Sequence, residues 1–416
     1  MLCDLDQSEE DKTKKIIQHW IRILKIKLGW IHDFNKLVAE YVIFIMYNLQ
    51  STNFFNFDVF RSSSKLLKTF TGHTGNIRSI DCITLDNCQF ICSGSLDKTV
   101  RVWDVDANEQ IQLFNGHSWW VYCVKFSSYH YHNYRQTVIC SSSEDKTIRF
   151  WDIKNSQQFQ LFKGHADGVC SIKFSPFNSG RYLCSGSFDK TICLWDVEAA
   201  KLLHVFNRHK NTVTCVDISP LQSNSDNNNE NNSIGVIGGN GYTICSGSYD
   251  TTICMWDIET VKQFMVFKGH ENWISDVKYG PNELGINYGA NTILSGSDDN
   301  SVRLWDIRSS RQIQVFNGHK NIVTAVEYSP FIVNNVKVGG SSNVICSGSL
   351  DNTIRFWDIR SSKKELYVMK RYDKEDDGIK CIKFIQLKKN RKSNCDSGCN
   401  ANLCYGSNSG QIHIWG

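Results

Sequence analysis

The sequence predicts an all-β fold built from seven copies of a four-stranded antiparallel unit. Two observations carry this. The segment ICSGSLDKTVRVWD at 91–104 returns at 139–152, 183–196, 244–257, 293–306 and 345–358, and a decayed copy, LCYGSNSGQIHIWG, ends at Gly416. Each copy is two short β-branched runs around an Asp-containing turn, which is the pattern of a hairpin. Further alternating runs flank each hairpin, such as VYCVKF (121–126) before one and QFQLF (158–162) after it. The unit is therefore four strands with period-two alternation. A unit that cannot bury its own apolar face must stack on its neighbours.

The elements follow in order. Upstream of six copies stand Gly72-His73, Gly116-His117, Gly164-His165, Arg208-His209, Gly269-His270 and Gly318-His319. Together with the Trp-Asp that closes each hairpin, these pairs resemble the WD repeat of the beta-transducin type, from residue 65 to 416. The resemblance implies a seven-bladed β-propeller of four-stranded antiparallel blades.

Successive repeat tryptophans lie at 103, 151, 195, 256, 305, 357 and 415, so most steps exceed the family period of about 40–45. The excess falls between the first and second strands, at 127–136, 221–241, 280–290, 331–342 and 386–401. The second insert contains SNSDNNNENN, a polar run without apolar area to bury. The seventh copy lacks a last outer strand, whereas KLLKTF (65–70) precedes the first Gly-His without a sheet of its own. Closing the ring with that N-terminal strand removes two free edges.

Each good repeat also contains His, Ser, Asp and Trp in register. These are His73, Ser93, Asp97, Trp103; His117, Ser141, Asp145, Trp151; His165, Ser185, Asp189, Trp195; His209, Ser246, Asp250, Trp256; His270, Ser295, Asp299, Trp305; and His319, Ser347, Asp351, Trp357. Ser-His-Asp invites a hydrolytic reading. Six sets in register argue against it, since catalysis needs one. The resemblance implies a structural tetrad, a hydrogen-bonded chain locking loops to strands. In the seventh copy Glu375, Tyr405 and Ser409 replace His, Ser and Asp, so that blade is expected to be the softest.

The formal net charge of +4 is mild and argues against a dedicated nucleic-acid partner. Most of the 17 cysteines fall at equivalent strand positions, such as Cys92, Cys140, Cys184, Cys245, Cys346 and Cys404. Small buried sites suit a thiol. The odd count and the lack of a signal peptide predict a cytoplasmic protein, with the nucleus also open to it, and not a secreted one. Neither Cys395, Cys399 and Cys404 nor His130 and His132 has zinc spacing, so no metal is expected.

Residues 1–64 read as a helical extension and linker, and 65–416 as the propeller. Apolar residues at 16, 17, 20, 23 and 24, and again at 34, 37, 38, 41, 42 and 45, define two amphipathic helices. These can pair as a hairpin, cap the propeller or form a homodimer surface. Membrane contact through the basic residues 14–46 is the less favoured reading. Residues 48–64 read as a linker.

No nucleotide loop, isolated nucleophile–base pair or ligand set appears. The expectation is no enzyme, no catalytic residue, no cofactor and no small-molecule substrate, but a scaffold or adaptor that binds other proteins or peptides. WD propellers bind partners on the face carrying the Gly-His loops and Asp turns. Positions three and five after each His, and one before each Asp, are expected at the channel rim. They give Asn76, Arg78 and Leu96; Trp120, Tyr122 and Glu144; Gly168, Cys170 and Phe188; Thr212, Thr214 and Tyr249; Trp273, Ser275 and Asp298; Ile322, Thr324 and Leu350; and Gly378, Lys380 and Asn408. The aromatics are the expected anchors. WDIR, at 305–308 and 357–360, resembles the WDxR motif through which some propellers dock on cullin-RING ligase adaptors. It gives Arg308 and Arg360 as adaptor contacts and an alternative function as a ligase substrate receptor.

Overall fold

In a computed structural model, seven four-stranded sheets follow one another around a ring. The structure describes residues 55–85, 88–219, 242–281, 291–332, 344–360, 365–370, 378–386 and 401–416. The chain divides into two compact units, Met1–Asn53 and Phe54–Gly416. The helix pair expected within 14–46 and the Asn-rich insert lie outside the described residues. Among the described residues, no helix is long and apolar enough to cross a membrane.

Blade one runs from the channel outward through Ile77–Leu85, Cys88–Ser95, Thr99–Asp104 and Glu109–Asn115, all antiparallel. Blades two to six repeat the order with first strands Val121–Phe126, Val169–Phe174, Val213–Ile218, Ile274–Tyr279 and Val323–Tyr328. Blade seven comprises Ile379–Gln386, Ala401–Ser407 and Ile412–Trp415, with Leu66–Phe70 as its outer strand. The N-terminal strand thus closes the ring: Phe70 pairs Ile412, Thr69 pairs His413 and Leu66 pairs Trp415. Lys65 and Gly416 exchange two backbone hydrogen bonds at 3.1 Å. The Lys68 ammonium donates to the Val105 carbonyl and ties the closing strand to blade one.

Blade-to-blade packing explains two repeated residue choices. In every blade but the sixth, whose outer strand Tyr367–Lys370 has no Phe, the last Phe of the outer strand lies on the repeat Trp of the next blade. Phe114 meets Trp151 at 5.2 Å, Phe206 meets Trp256 at 5.7 Å, and the closing Phe70 meets Trp103 at 5.6 Å. The middle Gly of SGS faces the following blade: a Cβ on Gly94 would stand 2.7 Å from Val121 Cγ1. Steric room, rather than backbone conformation, fixes glycine there.

Two short helices depart from the sequence reading. Residues 57–63, read as part of a linker, form helix α1 (Phe57–Ser63). Phe57 and Phe60 are buried in it and meet Phe331 and Phe356 of blade six at 4.6–5.7 Å. That apolar cluster outweighs the low helix propensity of FDVFRSS. The first insert carries α2 (Ser128–Tyr134), whose start is capped by the Ser127 side chain accepting from the His130 N–H. His130 lies buried against Phe150 and Phe159, and burial lowers its pKa to about 4. Among the described residues, no cluster of His, Cys, Asp or Glu is arranged to hold a metal.

Candidate protein-docking site

Antiparallel topology places the loops between blades and the turns between second and third strands on one face. The former carry the His residues and the latter the Asp residues. In all six complete blades His, Ser, Asp and Trp touch. In blade two His117 Nδ1 lies 2.7 Å from Asp145 Oδ2 and Nε2 lies 2.7 Å from Ser141 Oγ, while Trp151 Nε1 donates to the same Oγ at 2.7 Å. The corresponding His–Asp contacts elsewhere span 2.7–3.0 Å and the His–Ser contacts 2.7–2.8 Å. An ionised Asp only accepts, so Nδ1 carries the proton and Nε2 accepts from the Ser hydroxyl. Ser Oγ in turn accepts from the indole. Burial lowers the pKa of His73, His117 and His270 against the opposing pull of their Asp partners, which keeps the rings neutral.

This geometry resembles a hydrolytic triad, but the serines Ser93, Ser141, Ser185, Ser246, Ser295 and Ser347 are all 0% exposed. No substrate carbonyl can reach them. Cys193 and Cys254 lie 3.8 Å from His165 and His209. Burial pushes both thiols up to about 12, opposite to what a nucleophile requires. Each chain holds a loop to a strand, satisfying polar groups that burial would otherwise strand.

In blade seven, Tyr405 contacts the buried His413 at 5.1 Å, and His413 Nδ1 lies 3.0 Å from the closing strand's Thr69 Oγ1. Ser409 Oγ lies 2.8 Å from Ser407 Oγ. Trp415 Nε1 is buried without a partner among the described residues. Glu375 lies outside them.

On this face opens a central channel whose cavity, from the rim down to the first-strand lysines, holds about 270 Å³. Thirteen of the twenty-one rim residues expected from the sequence line it, among them Arg78, Tyr122, Phe188, Tyr249, Trp273, Asp298 and Leu350. Leu96, Trp120 and Glu144 do not line it but stand beside it, in the loops and turns of the same face. The Trp120 ring lies 6.5 Å from Tyr122. Glu144 accepts from the Tyr122 hydroxyl at 3.0 Å. Leu96 is held in its turn by a hydrogen bond to Asn76 O at 3.0 Å.

The aromatics form two groups. Tyr122 meets Phe188 edge-on at 5.6 Å, with the Arg78 guanidinium 5.5 Å above the Tyr122 ring. Tyr249 and Trp273 stack at 4.0 Å, and Trp273 is 43% exposed. Sequence reasoning passed over Trp119, which is 51% exposed, meets Trp120 at 6.1 Å and carries Lys98 over its ring at 4.7 Å. Its signal was the doubled Trp in SWW.

Deeper in the channel lies a feature the sequence reading missed. Asp81, Lys125, Lys173, Asp217, Lys278, Glu327 and Lys383 occupy the same register position in the seven first strands. Their ammonium groups pair with acids: Lys125 with Asp81 at 3.6 Å, Lys173 with Asp217 at 2.7 Å, Lys278 with Asp276 at 3.7 Å and Lys383 with Glu327 at 3.9 Å. Asp81, Asp217 and Asp276 also accept the backbone N–H of Phe126, Tyr279 and Val326 in the next blade. A charged residue inside an otherwise apolar run, recurring at one register, was the legible signal.

Among known proteins, the family model described as WD domain, G-beta repeat, matches residues 64–104, 108–152, 156–196, 200–257, 261–306 and 310–358. The chain belongs to the WD-repeat family. Blade seven's own first three strands fall outside those matches. A 61-residue stretch is 39% identical to Transcription initiation factor TFIID subunit 5 of Caenorhabditis elegans, covering 15% of this chain and 9% of that protein. A 66-residue stretch is 38% identical to WD repeat and SOCS box-containing protein 1 of Danio rerio and of Xenopus tropicalis, covering 16% of this chain and 15% of each relative. The chain thus spans only 9–15% of these relatives' own length. WD-repeat propellers are generally non-catalytic interaction scaffolds.

The two WDIR arginines lie on the opposite face, after the third strands. Arg308 is exposed. Arg360 is engaged within its own turn, its guanidinium reaching both Asp358 oxygens at 3.0–3.1 Å.

Proposed function

We propose that this WD-repeat protein is a scaffold that binds a protein or peptide partner on the tetrad-bearing face, at the channel mouth. The carrying observation is the stacked Tyr249–Trp273 pair, half open to solvent, beside Tyr122 and Phe188 at one opening. Rigid aromatics on a closed ring lose little entropy on binding and supply the large contact areas of interface anchors. All 14 described cysteines are free thiols, which suits a reducing, cytoplasmic setting.

A photocrosslinking residue at position 271, exposed in the His270 loop beside Trp273, compared with one at position 309 on the opposite face, tests the reading in cells. A partner captured only from 271 supports it; capture only from 309 refutes it. The second outcome would favour the ligase-receptor reading, in which the exposed Arg308 offers the contact.

A further inference from the structure

The charge arrangement inside the channel is uneven. One level down, every lysine of the first-strand ring has an acid within 3.9 Å. At the mouth, Arg78 and Lys380 occupy equivalent positions, each following the residue that pairs with the last Ser of the neighbouring strand. Blades seven and one are adjacent across the closure. Both side chains line the same opening, and neither forms a hydrogen bond or ion pair among the described residues. Arg78 is exposed and rests on the Tyr122 ring. Lys380 is half-buried. Burial first, and the Arg78 charge second, pull its pKa down to about 8. Asp298 is the acidic side chain both cations feel. Its Oδ1 already accepts from Ser275 at 2.6 Å.

A half-buried ammonium beside a second cation costs free energy unless an anion joins them. The acids lower in the channel are committed to its lysines, and Asp298 at the mouth accepts from Ser275. Guanidinium and ammonium together suit an oxyanion, the first as a planar fork and the second as a point charge.

We propose that Arg78 and Lys380 anchor an anionic group of the docked peptide, a carboxylate or phosphate neighbouring an apolar side chain that lies against Phe188, Tyr249 and Trp273. This rests on the docking face proposed above and names the chemistry of its partner.

The test selects peptides from a random displayed library on the full chain and measures the recovered peptides against two folded double variants. One is Arg78→Gln with Lys380→Gln; the other is Phe188→Ala with Trp273→Ala. Melting midpoints matching the parent protein confirm folding. Recovered sequences should carry Asp or Glu beside an apolar residue, and the charge variant should bind them at least about tenfold more weakly, as expected for lost charge-assisted hydrogen bonds. Synthetic copies with Glu, phosphoserine or Gln at the acidic position separate the two anion sources; the Gln copy should bind most weakly. If the Gln copy binds as well as the Glu and phosphoserine copies, or the charge variant stays within about twofold, while the aromatic variant fails to bind, the anion site is overturned and the docking face stands. If no recovered peptide depends on either variant, both proposals fall.

Discussion

Ring closure depends on one non-covalent strand, and Phe70→Ala probes it directly. Phe70 is 2% exposed, pairs Ile412 of the preceding strand and packs on Trp103 of blade one at 5.6 Å. Truncating a buried Phe costs about 3–5 kcal/mol. The loss falls where blades seven and one meet, so it should release Thr69 from His413 and expose the Ile412–Trp415 edge. Leu67→Ala in the same strand is the control. Leu67 is 39% exposed, and surface changes usually stay within about 0.5 kcal/mol. Urea unfolding reports the global loss, and hydrogen exchange at Ile412–Trp415 reports local opening. A Phe70→Ala loss below about 1 kcal/mol, far under that expected for a buried Phe, with unchanged exchange in blade seven, would refute the closure argument.

Three further outcomes follow from the tetrads. His117→Ala should cost about 1–3 kcal/mol by stranding the Ser141 hydroxyl, whereas the exposed His132→Ala should be nearly silent; equal losses in urea would oppose this. Asp97, Asp145, Asp189, Asp250, Asp299 and Asp351 are held below their ordinary 3.8: burial opposes the charge, but hydrogen bonds from His and from Thr or Ser prevail. Depressed folded values mean their stabilisation is complete above the unfolded pKa and is lost as pH falls through the folded one. Burial likewise depresses His73, His117 and His270 from 6.5, so their contribution starts to fall below that pH. The melting midpoint should decline gently below pH 6.5 and steeply below pH 3.8; a flat profile from pH 7 to about 3, where unfolded carboxylates already take up protons, would contradict the assignment.

The blades were legible because a period-two pattern with turn residues repeats seven times. Each imperfect copy is checked by the others. The rim was legible in part because strand alternation fixes which residue enters the channel. Tyr122, the second residue of its first strand, obeys that rule. Positions three after each His precede the strand, and there alternation does not decide the outcome: Trp273 lines the channel and Trp120 does not. Helix α1 escaped notice because its evidence is the fit of Phe57 and Phe60 among Phe331 and Phe356, which are distant in sequence. The second helix escaped because SYHYHNY contains few helix formers and relies on the Ser127 cap. That Lys380 has no acid partner among the described residues is a three-dimensional fact: the sequence places it beside other lysines without showing which have acids.

Docking of partners on the tetrad-bearing face can be read directly as an affinity. The decisive measurement is the affinity of a partner captured through position 271 for two folded variants, Phe188→Ala with Trp273→Ala on one face and Arg308→Ala with Arg360→Ala on the other. Removing anchor aromatics at an interface centre typically costs at least about 2 kcal/mol, a loss of roughly thirtyfold. That loss is expected for the aromatic variant, with unchanged affinity for the arginine variant; the reverse pattern would place the partner on the opposite face.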